Sequence, residues 1–199
     1  MGNSTTKISN ALGLEGNKEW LSVLRAHPSL EKVTWLNLGY NNITDQEAVM
    51  LCTTILPRMS SLQYLNLFSN NINHASSIFP MVTSCSSLEW LGIDNNGMTG
   101  AIGEEVGRMV NLKRFYAYGN NLTSVDLSLF MIPSLQWCYL GYNKNMTQPP
   151  YAMIEKCGGE EYDANCMPQM REEVTVTNYI NDPSTITNDI SLGYKAHAS

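Results

Sequence analysis

Apolar residues along the middle of the chain fall into a short pattern that recurs five times. Each copy has the form apolar-x-x-apolar-x-apolar-x-x-Asn, and the first begins at Val33. The alternation at its second and third apolar positions predicts a short β-strand with one apolar face. A partial copy precedes these near Asn10 and Leu12. The asparagines of the five copies, separated by 29, 26, 24 and 23 residues, are Asn41, Asn70, Asn96, Asn120 and Asn143.

Two segments outside these strands have helical patterns. After the first copy, Thr44 and Glu47 have the spacing of a capping box. Apolar residues on one face of this predicted helix are Ala48, Leu51, Cys52 and Ile55. Near the N-terminus, Asn17 is a candidate helix cap and Pro28 a helix stop. The apolar face of that helix is Trp20, Leu21 and Leu24.

The five copies resemble the leucine-rich repeat, LxxLxLxxNxL, over about residues 8–148. The resemblance implies an α/β solenoid with a concave parallel β-sheet and about five full repeats. The first interval resembles the ribonuclease-inhibitor type, and MTGAIGEEVGRMVNL resembles the plant type, with Gly103 in place of the usual proline. The implied organisation is a helical N-terminal cap with a partial repeat (1–32), repeats (33–148), a C-terminal cap (149–167) and an extended tail (168–199).

The resemblance also implies a structural role for the repeated asparagines. In the family these residues turn inward and stack as a ladder. An amide side chain can do this because it both donates to and accepts from backbone groups that lack strand partners. Candidates for the ladder are the five asparagines named above.

In the family geometry, the third, fifth and seventh positions of each copy face the concave side of the sheet, and the eighth borders it. Ten of the 18 aromatic residues fall in these 20 positions. Trp, Tyr and Arg are the residue types that dominate interface energetics, so we interpret the face as a binding surface. The alternative is that the aromatics only stabilise the sheet by cross-strand packing. Candidate partner-binding residues are Trp35, Asn37, Tyr64, Asn66, Phe68, Trp90, Asp94, Arg114, Tyr116, Tyr118, Trp137 and Tyr139.

The low charge of the chain narrows the class of partner. Only 15% of residues are charged and the net charge is -6, which argues against nucleic-acid binding. Only Asp94 and Arg114 are charged at the third, fifth and seventh positions, so the expected partner surface is apolar or uncharged polar. No apolar run approaches the roughly 18 residues of a membrane span.

The sequence predicts neither an enzyme nor a metal or cofactor site. The histidines, His27, His74 and His197, are scattered and lie in no nucleophile motif. No phosphate-binding loop, dinucleotide fingerprint or zinc-protease motif occurs. Among five cysteines, Cys157 and Cys166 could form a disulfide if the protein is secreted.

The N-terminal segment, MGNSTTK, makes Gly2 a candidate for N-myristoylation. The first 15 residues lack the apolar core of a secretory signal. We therefore expect a cytoplasmic or intracellular complex, with membrane contact only if Gly2 is acylated.

These features predict a non-catalytic protein–protein interaction module, a scaffold or accessory subunit of a larger assembly. Its protein partner is expected on the aromatic concave face. The C-terminal tail is either a further contact for that partner or itself folds back onto the face. The alternative is a secreted recognition protein that binds glycan or peptide ligands.

Overall fold

The computed structural model describes residues 11–79 and 85–146. Within this part of the chain, six three-residue strands form one parallel sheet in the order β1-β2-β3-β4-β6-β8. The strands of this sheet are β1 (Ala11–Gly13), β2 (Trp35–Asn37), β3 (Tyr64–Asn66), β4 (Trp90–Gly92), β6 (Arg114–Tyr116) and β8 (Trp137–Tyr139). Each strand lies at the place in its copy that the alternating pattern predicts.

Equivalent residues of successive copies pair directly across the sheet. The middle residue of each strand is opposite the middle residue of the next, and from β2 onward this residue is fully buried. The row of middle residues is Leu12, Leu36, Leu65, Leu91, Phe115 and Cys138. This register confirms the predicted solenoid, in which each coil shares its core with its neighbours.

A second, two-stranded parallel sheet was not predicted. It pairs β5 (Thr99–Ile102) with β7 (Asn121–Val125), with a register shift between Gly100 and Ala101. In these coils the return segments contain 3-10 turns, at Glu104–Arg108 and Leu127–Leu129. Apolar residues of both sheets, such as Ile102, Leu122 and Phe115, are buried in the core.

The helix after the first copy has the predicted capping box. This helix, α2 (Asp45–Met50), begins after Thr44, whose hydroxyl accepts from the Glu47 backbone N–H at 3.4 Å. The Glu47 carboxylate in turn accepts from the Thr44 N–H at 2.9 Å. The chain continues through a π-helical turn, Leu51–Ile55, and a 3-10 turn, Leu56–Arg58. The predicted apolar face is buried at Ala48, Leu51, Cys52 and Ile55.

The N-terminal helix, α1 (Trp20–Ala26), begins later than predicted. Its cap is Glu19, which makes no side-chain capping bond. The expected role of Asn17 as the cap is therefore wrong. The Asn17 side chain instead closes a turn just before the helix, where its Oδ1 accepts from the Glu19 backbone N–H at 2.9 Å. Trp20 and Leu24 are buried as predicted. Short 3-10 turns also occur at Leu30–Lys32 and Ala75–Ser77.

The repeated asparagines connect successive coils through their side-chain amides. Asn120 donates to Ala117 O of its own coil (3.1 Å) and to Ile93 O of the preceding coil (3.0 Å). Its Oδ1 accepts from two N–H groups of the preceding coil, Asn96 N at 3.1 Å and Met98 N at 3.0 Å. Equivalent donor bonds to both coils are made by Asn70, Asn96 and Asn143.

The first asparagine of this series is incomplete. Asn41 donates to Leu14 O at 2.7 Å and to Leu38 O at 3.0 Å. Its Oδ1 is buried and has no hydrogen-bond partner among the described residues. By the register of the later copies, this Oδ1 would accept from the N–H groups of Asn17 and Glu19. Both of these N–H groups form hydrogen bonds within their own turn instead.

Candidate functional site

The first and third residues of each strand point away from the core, because side chains alternate between the two faces of a strand. Six aromatic side chains on this side of the six-stranded sheet form what we call the aromatic face. The aromatic face consists of Trp35, Tyr64, Trp90, Tyr116, Tyr139 and Trp137.

The six rings form a continuous series across the five strands from β2 to β8. Tyr64 lies between two tryptophans, with its ring centroid 5.1 Å from that of Trp35 and 4.1 Å from that of Trp90, both stacked. Tyr116 lies between Trp90, at 5.1 Å, and Tyr139, at 4.7 Å. Trp137 ends the series, 6.5 Å from Tyr139. Ring contacts therefore extend along the whole face. They cross between strands from Trp35 to Tyr139, with a tilted contact between Trp90 and Tyr116, and the last contact, to Trp137, lies within β8.

The series changes column at Gly92. Trp35, Tyr64 and Trp90 are first residues of their strands, but the next first residue is Arg114. A side chain on Gly92 would place its Cβ 2.4 Å from Trp90 Cη2, so the indole lies over the glycine. From there it contacts Tyr116, a third residue. Sequence columns alone did not reveal this crossing, although a glycine beside a tryptophan was its signal.

A second aromatic set borders the face at the turns after β2, β3, β6 and β8. Tyr40 contacts Phe68 edge-to-face at 4.7 Å, and Tyr118 contacts Tyr142 at 4.8 Å. Tyr40 and Tyr142 are 58% and 41% exposed. Both have left-handed backbones, with φ of 56° and 55°, a conformation that costs a bulky residue about 1–2 kcal/mol. Both occupy the eighth position of their copy, which is predicted to border the concave side, and they lie at the rim of the aromatic face.

Two predicted partner-binding residues lie on this side of the sheet but are almost fully covered by their neighbours. Asn37 and Asn66 are only 9% and 6% exposed. Their Oδ1 atoms accept from the N–H two residues on, at Gly39 (3.0 Å) and Phe68 (3.2 Å). Asn37 also donates to the Glu15 carboxylate at 2.9 Å. Their role in partner binding stays a prediction, and in the structure they support the turns.

Charge on this side of the sheet is sparse and mainly negative near Tyr64. Asp94 is half-buried, and its Oδ1 accepts from the Tyr118 backbone N–H at 2.9 Å. Burial raises the pKa of Asp94 to about 6, against its hydrogen bonds. Burial also raises the pKa of Tyr64, with smaller contributions from Tyr116 and from the carboxylates of Asp94 and Glu15. Arg114 is exposed.

In-register parallel strands, followed in five copies by an asparagine that bonds neighbouring coils, make one structural unit repeated along the chain. The chain folds as a leucine-rich repeat solenoid. No protein-family model and no curated protein sequence matches it.

Three solved structures similar to this chain have TM-scores below 0.5. One is the BIR2 ectodomain from Arabidopsis thaliana, with TM-score 0.49, 17% identity and coverage of 57% of each chain. The ectodomain of the plant membrane receptor kinase GASSHO1/SCHENGEN3 from Arabidopsis thaliana has TM-score 0.48 and 22% identity, over 57% of this chain and 13% of its own. Internalin C2 from Listeria monocytogenes has TM-score 0.45 and 23% identity, over 59% and 46%. The chain thus spans between 13% and 57% of the length of these structures.

A polar cluster on another part of the leucine-rich repeat solenoid brings together Asp45, His74 and Ser77. Ser77 Oγ donates to Asp45 Oδ1 at 2.6 Å, and His74 Nδ1 lies 3.0 Å from Asp45 Oδ2. Burial raises the pKa of Asp45, but the hydrogen bonds from Ser77 and His74 outweigh it and hold the pKa below its usual value. Both side chains bond the aspartate rather than each other, so the cluster has no histidine placed to take the serine proton. Its role is to join α2 to the next coil.

The described cysteines of the solenoid, Cys52, Cys85 and Cys138, are buried. Burial raises the pKa of Cys52 to about 12 and that of Cys85 to about 11, which keeps both thiols protonated and unreactive. Over residues 11–79 and 85–146, no three His, Cys, Asp or Glu side chains could together hold a metal ion. In the same ranges no helix has the length and hydropathy needed to cross a membrane.

Several predictions concern residues outside the described ranges. These are the acylation of Gly2, the C-terminal cap at 149–167, the tail at 168–199, and the pair Cys157 and Cys166.

Proposed function

We propose that this solenoid is a non-catalytic protein-interaction module that binds an extended segment of a partner protein along the aromatic face. As the finer part of the same proposal, it acts as a scaffold or accessory subunit of a larger assembly. The observation that carries it is the continuous series of six stacked rings, from Trp35 to Trp137, on the side of the sheet opposite the core.

Stacking alone is a weaker explanation of this surface. The core side of the strands is already filled by fully buried residues such as Leu65 and Leu91. The rings of the aromatic face stay half-buried or exposed, and Trp137 is 38% exposed. Tyr40 and Tyr142 add exposed rings in a backbone conformation that is unfavourable for them. The left-handed backbone is common to the eighth position of all five copies, so it is the exposed aromatic surface that is typical of a binding site.

The stacking also favours a peptide segment over a glycan. Sugars bind aromatic side chains mainly through ring faces, but both faces of Tyr64 and of Tyr116 are directed at neighbouring rings. What remains for a ligand is mostly ring edges, phenol hydroxyls and indole N–H groups. Edges and polar groups of this kind suit an extended chain with apolar side chains and backbone amides.

The test compares two variants that each remove an exposed apolar side chain. Trp137→Ala changes the end of the aromatic face, where the indole has one stacking neighbour at 6.5 Å, so the fold should survive. Met131→Ala removes an exposed side chain outside the strands and is the matched control. Partners are recovered with the native full-length chain and identified by mass spectrometry.

We expect a partner recovered with wild type and Met131→Ala to be lost with Trp137→Ala, and its binding to map to one extended segment. Equal recovery with both variants would refute binding at the aromatic face. Recovery of glycans on an array, abolished by Trp137→Ala, would replace the peptide by a carbohydrate ligand.

A further inference from the structure

One carboxylate on the binding side of the sheet has no oppositely charged neighbour. Asp94 occupies the position after β4 that Phe68 occupies after β3 and Tyr118 after β6. Backbone hydrogen bonds hold these three turns side by side, from Ser69 N to Asp94 O and from Asn95 N to Tyr118 O. Asp94 makes no ion pair among the described residues.

The two flanking rings lean away from Asp94 in opposite directions. The Phe68 ring lies over Gly39, where a Cβ would come within 2.3 Å of Phe68 Cε1, and it contacts Tyr40 of the same turn. The Tyr118 ring leans the other way, onto Tyr142 of the next coil. Phe68 and Tyr118 are two strands apart, roughly 10 Å at about 4.8 Å per strand. That span leaves room for one side chain above the carboxylate.

The electrostatics of this gap favour a cation. Asp94 accepts from the Tyr118 N–H and from its own backbone N–H, and its two oxygens keep further lone pairs for a ligand. Burial raises the pKa of Asp94 to about 6, so the carboxylate is costly to leave unpaired at neutral pH. A guanidinium or ammonium group would satisfy both features.

We propose that Asp94, flanked by the rings of Phe68 and Tyr118, receives one lysine or arginine side chain of the partner segment. This inference rests on the proposed function and refines it. The partner segment is apolar or uncharged along the six-ring series but carries one basic residue at the level of β4. The proposal thus departs from the expectation of an apolar or uncharged partner surface at a single residue, the one that contacts Asp94.

The test selects a displayed library of random linear peptides on the full-length wild-type chain, on Asp94→Asn and on Asp126→Asn. Asparagine at residue 94 keeps an oxygen for the Tyr118 N–H and removes only the charge. Asp126 is exposed and accepts from Ser128 N at 2.8 Å, a bond that asparagine can also make, so Asp126→Asn is the charge-matched control. Near-ultraviolet circular dichroism checks that the aromatic series is intact in each variant.

Peptides selected on wild type and on Asp126→Asn should share a lysine or arginine at one position, and peptides selected on Asp94→Asn should not. Replacing that basic residue by norleucine should weaken binding to wild type about tenfold and leave binding to Asp94→Asn unchanged.

Two other results would overturn the inference in distinguishable ways. Peptides that depend on Trp137 but share no basic residue, or keep it on Asp94→Asn, would refute the subsite and leave the proposed function standing. A library that yields no peptide sensitive to Trp137→Ala would refute the proposed function and the subsite together.

Discussion

Gly92 decides whether the aromatic series is continuous, so Gly92→Ala is the most informative single change. An alanine Cβ would lie 2.4 Å from Trp90 Cη2, 2.7 Å from its Cζ3 and 2.9 Å from Asn66 Oδ1. The indole must therefore move, and its stacking with Tyr64 and Tyr116 is lost. Each aromatic pair contributes about 0.5–1.5 kcal/mol, so the free energy of unfolding should fall by about 1–3 kcal/mol.

Gly13 is the matched control because it occupies the same column of the sheet. It pairs with Asn37, which pairs with Asn66, which pairs with Gly92. Its added Cβ would meet only Trp35 Cζ3, at an ordinary 3.7 Å. Gly13→Ala should therefore be neutral, or stabilise by up to about 1 kcal/mol through a less flexible unfolded chain.

The assay is urea unfolding of both variants, followed by backbone circular dichroism, with near-ultraviolet spectra for the coupled rings. Gly92→Ala should unfold at lower urea and lose near-ultraviolet intensity, while Gly13→Ala keeps both. If the two variants unfold at the same urea concentration with unchanged ring spectra, the indole does not depend on the space above Gly92, and the argument fails.

Three further predictions concern polar side chains of the solenoid. Asn120→Ala removes four hydrogen bonds to buried backbone groups, so the free energy of unfolding should fall by about 3 kcal/mol or more. Asn41→Ala should lower it less, because the Asn41 Oδ1 has no described partner, and the urea midpoints of the two variants test this difference. The pKa of Asp45 is lower in the folded state than its ordinary value of 3.8, so Asp45 stabilises the fold above pH 3.8 and this stabilisation is lost as the pH falls through the folded pKa. The urea midpoint of wild type should therefore fall in acid by an amount that Asp45→Asn does not show. The pKa of Asp94 is raised from 3.8 to about 6 in the folded state, so between these pH values the folded state binds more protons than the unfolded state. The free energy of unfolding of wild type should therefore fall relative to that of Asp94→Asn as the pH rises from 3.8 to 6. A difference between the two proteins that does not change with pH would contradict the shift.

The repeat itself could be predicted because its physical cause is local and recurs. The alternation of apolar and polar residues around Leu36 and Leu38 defines a strand with one buried side. The asparagine three residues after Leu38 then forms hydrogen bonds with backbone groups of the turn. The capping box of Thr44 and Glu47 is similarly contained within four residues. Patterns of this kind need no knowledge of distant contacts.

Features that depend on neighbouring coils were not accessible in the same way. The pairing of β5 with β7 requires two return segments to come side by side, and neither segment has a strong strand pattern. The lean of Trp90 toward Tyr116 depends on empty space at Gly92, and that of Phe68 on empty space at Gly39. Sequence columns identified which residues share a side of the sheet but not which rings touch.

The direction of the asparagine bonds has a consequence for the order in which the chain becomes structured. From Asn70 onward, each Oδ1 accepts N–H groups of the coil before it, as Asn143 does from Leu122 and Asn120 does from Asn96. A turn that has left the ribosome therefore keeps unpaired amides until the following asparagine, 23 to 29 residues later, has also emerged. During synthesis from the N-terminus, the hydrogen bonds of such a turn are therefore completed only after the next repeat has emerged. A translational pause within that repeat would leave the N–H groups of the newest turn without their asparagine acceptor.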